Sequence, residues 1–88
     1  MTDSSLREED IRSTVRTFIL EEFLVGEDPT ALTDTTSLIR GGILDSISSM
    51  RLVNHLEQSF NIVLSQGDVT IDNLDTVDRV VRVVRAKL

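Results

Sequence analysis

The chain has no cysteine, no tryptophan and no tyrosine. Without cysteine it has no disulfide, no thiolate nucleophile and no thiolate metal site, so any thioester chemistry needs a thiol brought in from outside the polypeptide. The aromatic side chains are three phenylalanines, too few for a base-stacking nucleic-acid platform. Positive charge is scarce as well, with 9 Lys and Arg against 15 Asp and Glu and a net charge of −6. Binding a phosphate backbone requires a basic surface, so nucleic acid is not expected as a partner. No run approaches the roughly 20 apolar residues of a membrane span. The opening Met1-Thr2-Asp3-Ser4-Ser5 also lacks the basic and apolar regions of a secretory signal. A soluble, cytoplasmic protein without membrane contact is expected.

What is present describes an ordinary small globular protein, 40% hydrophobic and 27% charged over 88 residues. That length supports one domain, residues 1–88, around one small core of modest stability. Charge is unevenly spread. Residues 1–78 hold 15 acids against 5 arginines, and Arg79, Arg82, Arg85 and Lys87 follow. Cations gathered toward the end of a helix complement its dipole, which is the simplest account of that basic stretch.

Apolar spacing sets the elements. Ser5-Leu6-Arg7-Glu8 fits a capping box, and Ile11, Val15, Phe18, Ile19 and Phe23 then recur at helical intervals. Gly26 suits a C′ position and Pro29 forbids continuation, so a first helix is predicted from Leu6 to Val25. Residues 26–45 have no clear period, and so long a loop in so small a domain is usually functional or pinned by its own side chains. Leu32, Leu38, Ile39, Ile43 and Leu44 can supply the pinning, Leu38 and Leu44 foremost. A second helix is predicted from Ser46 to Ser59, with Ile47, Met50, Val53, Leu56 and Phe60 inward, helped by Leu52. Arg51, Asn54, His55, Glu57 and Gln58 face outward. Asn61 breaks the pattern, and Ile62-Val63-Leu64, a lone apolar run with no strand to pair with, reads as a buried connector. A short helical turn is placed around Gln66 to Thr70. Asp75 or Thr76 caps a last helix whose stripe is Val77, Val80, Val81, Val84 and Leu88. The expected fold is all-α, a small four-helix bundle of three main helices and one short one, with a long loop between helices one and two.

Several chemistries fail on spacing. The one histidine, His55, lies nine residues after Ser46 in the same predicted helix. Nine steps of about 100° place it on the opposite face, so it cannot act as general base for that serine. His55 reads as a solvated surface residue. Asp68, Asp72, Asp75 and Asp78 are spaced four, three and three apart without a calcium-loop pattern, and read as solvated acids flanking helix ends. Gly41-Gly42 leads to no nucleotide-binding glycine loop. Neither an enzyme nor a metal site is expected.

The stretch that remains is Gly42-Ile43-Leu44-Asp45-Ser46-Ile47, directly ahead of the amphipathic run. It places a hydroxyl at the first residue or N-cap of a helix, where free N–H groups and the dipole favour a negative group such as a phosphate. Asp45-Ser46-Ile47 alone is no more than a good helix start. Its surroundings say more. From Leu38-Ile39-Arg40-Gly41-Gly42 through Leu52-Val53, Leu56-Glu57 and Phe60, and again at Val69 to Val77, the chain resembles the acyl and peptidyl carrier proteins.

That resemblance implies a covalent 4′-phosphopantetheine on Ser46, derived from coenzyme A, with Asp45 assisting recognition by the phosphopantetheinyl transferase. It also implies a partner-facing surface at Ile47, Met50, Arg51 and Ile71. The implied partners are an adenylating ligase or acyltransferase that loads the carrier and a synthase or condensation enzyme that unloads it, the carrier being a monomer. The sequence departs from carriers of fatty-acid synthesis, which usually read Gly-Ala-Asp-Ser-Leu and carry several acids along helix two. Here the motif is Gly-Ile-Leu-Asp-Ser-Ile, helix two has Glu57 alone, and Arg51 stands where an acid is common. The form is more similar to D-alanyl carriers and to discrete carriers of polyketide or nonribosomal peptide biosynthesis. The alternative is a small helical adaptor that binds a partner through helix two with no prosthetic group.

Overall fold

The computed structural model describes residues 4–88, with side chains from residue 8 onward. Four α-helices make up its regular structure: α1 (Ser4–Phe23), α2 (Ser46–Phe60), α3 (Ile71–Leu74) and α4 (Val77–Lys87), with a 3₁₀ turn at Pro29–Ala31. No strand occurs among the described residues. The all-α bundle with a long α1–α2 loop is the fold expected from the spacing.

One core joins the helices. α1 contributes Ile11, Val15 and Ile19, α2 contributes Leu52, Val53 and Leu56, and α4 contributes Val77, Val80, Val81 and Val84. α1 packs chiefly along α4 and less extensively against α2. Four valines give α4 little intrinsic helicity, because β-branched side chains lose rotamer freedom in a helix. Its stability therefore comes from burial and from the Thr76 cap, whose hydroxyl accepts the Arg79 N–H at 3.1 Å. The long loop closes over this core with Leu32, Leu38 and Leu44, all nearly fully buried, the pinning expected of its apolar residues.

Several expectations need correction. α1 ends at Phe23, two residues early. Gly26, at φ +83°, belongs to the turn that follows, in which the Glu27 N–H donates to the Leu24 carbonyl. The capping box rests on the Ser5 side chain, which lies outside the described residues. The short helix is Ile71–Leu74 and not the segment around Gln66 to Thr70, where Ser65 only closes a turn onto Asp68 and Val69. Ile62 and Leu64 are buried but Val63 is 80% exposed, so the connector alternates. Leu88 is half exposed and does not extend the α4 stripe.

The largest correction concerns α2. Its buried side chains are Ser49, Leu52, Val53 and Leu56, whereas Ile47 is 75% and Met50 50% exposed. Each step of three residues falls about 60° short of a full helical turn, so the steps from Ile47 through Met50 and Val53 to Leu56 drift across the helix. The apolar series that starts inward at Leu56 has reached solvent by Ile47.

Candidate functional site

The loop before α2 is held in place by side chains from the helices. The Arg16 guanidinium donates to the carbonyls of Leu32 and Pro29, and the Asp78 N–H donates to the Asp34 carbonyl at 3.1 Å. Asp75, only 6% exposed, secures the next stretch. Its carboxylate accepts the N–H of Ile39 at 2.9 Å, the N–H of Arg40 at 3.0 Å, the Ser37 hydroxyl and the Arg40 guanidinium. These donors, the Arg40 N–H foremost, hold the Asp75 carboxyl at about 2, well below the usual carboxylate range. By spacing alone Asp75 reads as a cap or a solvated acid. It is instead a buried hub, because the loop folds back onto the α3–α4 junction.

From Ile39 the chain turns tightly, the Gly42 N–H donating to the Ile39 carbonyl at 3.1 Å. Two glycines make this possible. A Cβ at Gly41 would collide with the Ser37 carbonyl, and Gly42 sits at φ +87°, where L side chains are strained. The Leu44 N–H then returns to the Leu38 carbonyl at 2.8 Å, and the next residue caps α2.

Asp45 is that cap. In extended backbone (φ −97°, ψ −170°), its carboxylate accepts the Ser48 N–H at 2.8 Å. This bond holds its pKa below the usual value. Ser46 is therefore the first residue of α2, exposed, and carries none of the cap's structural burden. Beside it runs an open groove of about 570 Å³ between α2 and α3, lined by Ile39, Leu44, Met50, Val69 and Ile71 among others. An exposed hydroxyl on the first turn of a fifteen-residue helix, opening onto a largely apolar groove, fits attachment of a phosphate-linked, partly apolar arm.

The residues singled out in the sequence gather only in part. Ser46, Asp45, Met50 and Ile71 border the same groove. Ile71 is 54% exposed, and Ile47 projects from the first turn without lining the groove. Arg51 turns toward α1, where it pairs with Glu22 and lies 5.3 Å over the Phe23 ring. His55 is not solvated: it is half-buried and stacked on Phe18, with ring centroids 4.2 Å apart. Asp68, Asp72 and Asp78 pair with Lys87, Arg40 and Arg12; Asp72 stays exposed and Asp78 partly exposed, as expected of acids flanking helix ends, while Asp68 is more enclosed. No cluster of three His, Cys, Asp or Glu able to hold a metal occurs among the described residues. Sequence reasoning missed Arg40, which donates to both Asp72 and Asp75, and Ser49, a buried hydroxyl in the groove. Neither had a local signal, since both depend on which segments meet.

The family model for the phosphopantetheine attachment site matches residues 13–84, from within α1 to within α4. No curated protein matches the chain significantly. Domains of that family bind 4′-phosphopantetheine covalently and carry intermediates on it, without themselves catalysing the reactions. With the match covering most of the chain and parts or all of every helix, the chain belongs to the phosphopantetheine-attachment family and is a carrier protein, not an enzyme.

Proposed function

We propose that Ser46 is the attachment point of 4′-phosphopantetheine. On this reading the chain is a discrete, monomeric, cytoplasmic carrier shuttling acyl or aminoacyl groups between enzymes of polyketide or nonribosomal peptide biosynthesis. The observation that carries the reading is the exposed Ser46 hydroxyl at the first turn of α2, capped by Asp45 and inside the family match. When bound, the group supplies the thiol this cysteine-free chain lacks, on which cargo is held as a thioester.

The chain's own residues do the rest. Asp45 takes the Ser48 N–H, so the first turn stays formed whether Ser46 is modified or not. Uncapped N–H groups and the helix dipole at that turn favour a phosphate on Ser46. Ile47, Met50 and Ile71 offer exposed apolar surface around the serine for the transferase, a loading ligase or acyltransferase, and a downstream synthase or condensation enzyme. Arg51, paired with Glu22, edges this face. Because α2 carries one acid, Glu57, docking rests on apolar contact more than on charge, which favours the peptidyl or D-alanyl type of carrier over the fatty-acid type.

The test is the intact mass of the protein after incubation with coenzyme A and a broad-specificity phosphopantetheinyl transferase, beside Ser46→Ala. The expected result is a gain of one phosphopantetheine in the wild type and none in the variant. A folded wild type that gains nothing with several transferases would leave Ser46 a helix residue and turn the reading to an adaptor.

A further inference from the structure

The two walls of the groove beside Ser46 meet at Asp75, the C-cap of α3, which accepts the Ile39 and Arg40 N–H groups, and a guanidinium adds a second tie farther along α3. Ile39 forms part of the loop wall and Ile71 part of the α3 wall. Arg40, next to Ile39, sends Nη1 to the Asp75 carboxylate at 3.1 Å and Nη2 to Asp72 at 2.7 Å. Asp72 directly follows Ile71. The loop side of this tie has further support, since Asp75 also holds the N–H groups of Ile39 and Arg40. On the α3 side, Arg79 donates to the Asp72 carbonyl at 3.1 Å and the Asn73 amide to the Asp68 carbonyl at 3.1 Å, but neither reaches the loop wall. Four residues cannot stabilise a helix by themselves, and α3 is kept by the Thr70 cap, buried Leu74, the Asn73 and Arg79 bonds, and the Arg40–Asp72 pair, which alone of these reaches the loop beside Ile39.

Exposure helps decide what the tie does. The Arg40 and Asp72 side chains are 57% and 71% exposed, and an ion pair so solvated adds little to global stability. Its effect is geometric. It needs two donors of fixed divergence to reach two carboxylates at once, which a guanidinium provides and an ammonium does not.

We propose that Arg40 is a positioning residue that clasps α3 to the loop before Ser46, fixing the spacing of the groove walls and the surface that partner enzymes meet. The part concerning partners rests on Ser46 being the attachment point; the clasp itself does not. Ser46 is held by Asp45 and by α2, neither of which has a hydrogen bond or ion pair to Arg40 among the described residues, so loosening the clasp leaves the reacting hydroxyl in place. It leaves Ile71 and the first turn of α3 to be ordered during each encounter.

The experiment compares wild type with Arg40→Gln, Arg40→Lys and Asp72→Asn in two ways. The first is amide hydrogen exchange on the unmodified protein. The reporters are the N–H of Asn73, bonded to the Thr70 hydroxyl, and the N–H of Leu74, bonded to the Thr70 carbonyl. All three variants are expected to speed exchange at these amides by about two- to fivefold while core amides of α1 and α4 stay unchanged. The second is transferase kinetics, where KM is expected to rise by about the same factor with kcat unaltered. Wild-type exchange at Asn73 and Leu74 in Arg40→Gln would overturn the clasp, as would Arg40→Lys behaving like wild type, or faster exchange throughout the protein. A wild type that accepts no phosphopantetheine would defeat the attachment reading, while the exchange result would still decide the clasp.

Discussion

Ile47 and Leu56 occupy opposite sides of α2: Leu56 is fully buried and Ile47 is 75% exposed. Both are large aliphatic residues on one helix, yet their substitutions should have opposite signatures. Leu56→Ala should cost about 2–5 kcal/mol in chemical denaturation, since it opens a cavity in the core. Ile47→Ala should change stability by no more than about 0.5 kcal/mol. It should instead lower kcat/KM for phosphopantetheine transfer, because it removes apolar surface next to Ser46. Equal destabilisation by both would contradict the orientation of α2.

Asp45 and Ser46 divide the work of the helix start. The cap is Asp45, whose carboxylate holds the Ser48 N–H. Asp45→Ala should therefore lower the melting temperature by about 4–8 °C, the equivalent of one lost N-cap in a domain this size. Ser46→Ala should leave the melting temperature within about 2 °C of wild type, because it places the best helix former at a first-turn position that is not the cap. Thermal unfolding followed by circular dichroism distinguishes the two.

The glycine pair before the site should be unequal too. Gly42→Ala has open space around its new methyl group and meets only the cost of positive φ, about 1–2 kcal/mol. Gly41→Ala drives a Cβ into the Ser37 carbonyl and should be worse, since relief would require the turn to move away from Asp75. Gly42→Asn should cost less than Gly42→Ala, because asparagine enters the left-handed region more readily. Denaturant midpoints of the three variants provide the comparison.

Acid should unfold the protein through its paired carboxylates. Asp75 titrates at about 2 in the folded chain, against about 3.9 when unfolded. Asp68, bonded to Lys87 and Ser65, also lies at about 2, and Asp72 and Asp45 are lowered as well. Between the folded and unfolded values the unfolded state binds more protons, so stability increases with pH there. This contribution is complete above about pH 5 and is lost as pH falls toward 2. Melting temperatures from pH 7 to pH 2.5 should show the decline, with a shallower slope in Asp75→Asn. Asp68→Asn serves as a second variant should the buried substitution fail to fold. An unchanged slope in the folded variants would remove these carboxylates from the acid response.

What could be read from the sequence was whatever depends on neighbours along the chain. The valine stripe of α4, the loop anchors Leu32, Leu38 and Leu44, and the helix start at Asp45-Ser46 are all local patterns. Counting in threes hid the drift of Ile47 and Met50 to the surface, which a full 100° projection against Leu52 and Leu56 would have revealed. The rest was not local. The Arg40 guanidinium reaches Asp75 across 35 positions and Arg12 reaches Asp78 across 66. His55 meets Phe18 only because α1 and α2 pack side by side. No spacing rule encodes such meetings.

Asp75 and Asp78 fix the loop that leads into Ser46, yet both follow it far along the chain. A polypeptide is synthesised from its N-terminal end, so the serine leaves the ribosome before the groups that arrange its approach. A nascent chain displaying Ser46 still lacks the buried carboxylate that collects Ile39 and Arg40, and the α4 valines that complete the core. The serine is made early and its setting late. Recognition that depends on the finished loop therefore requires α3 and α4 to be made and folded first.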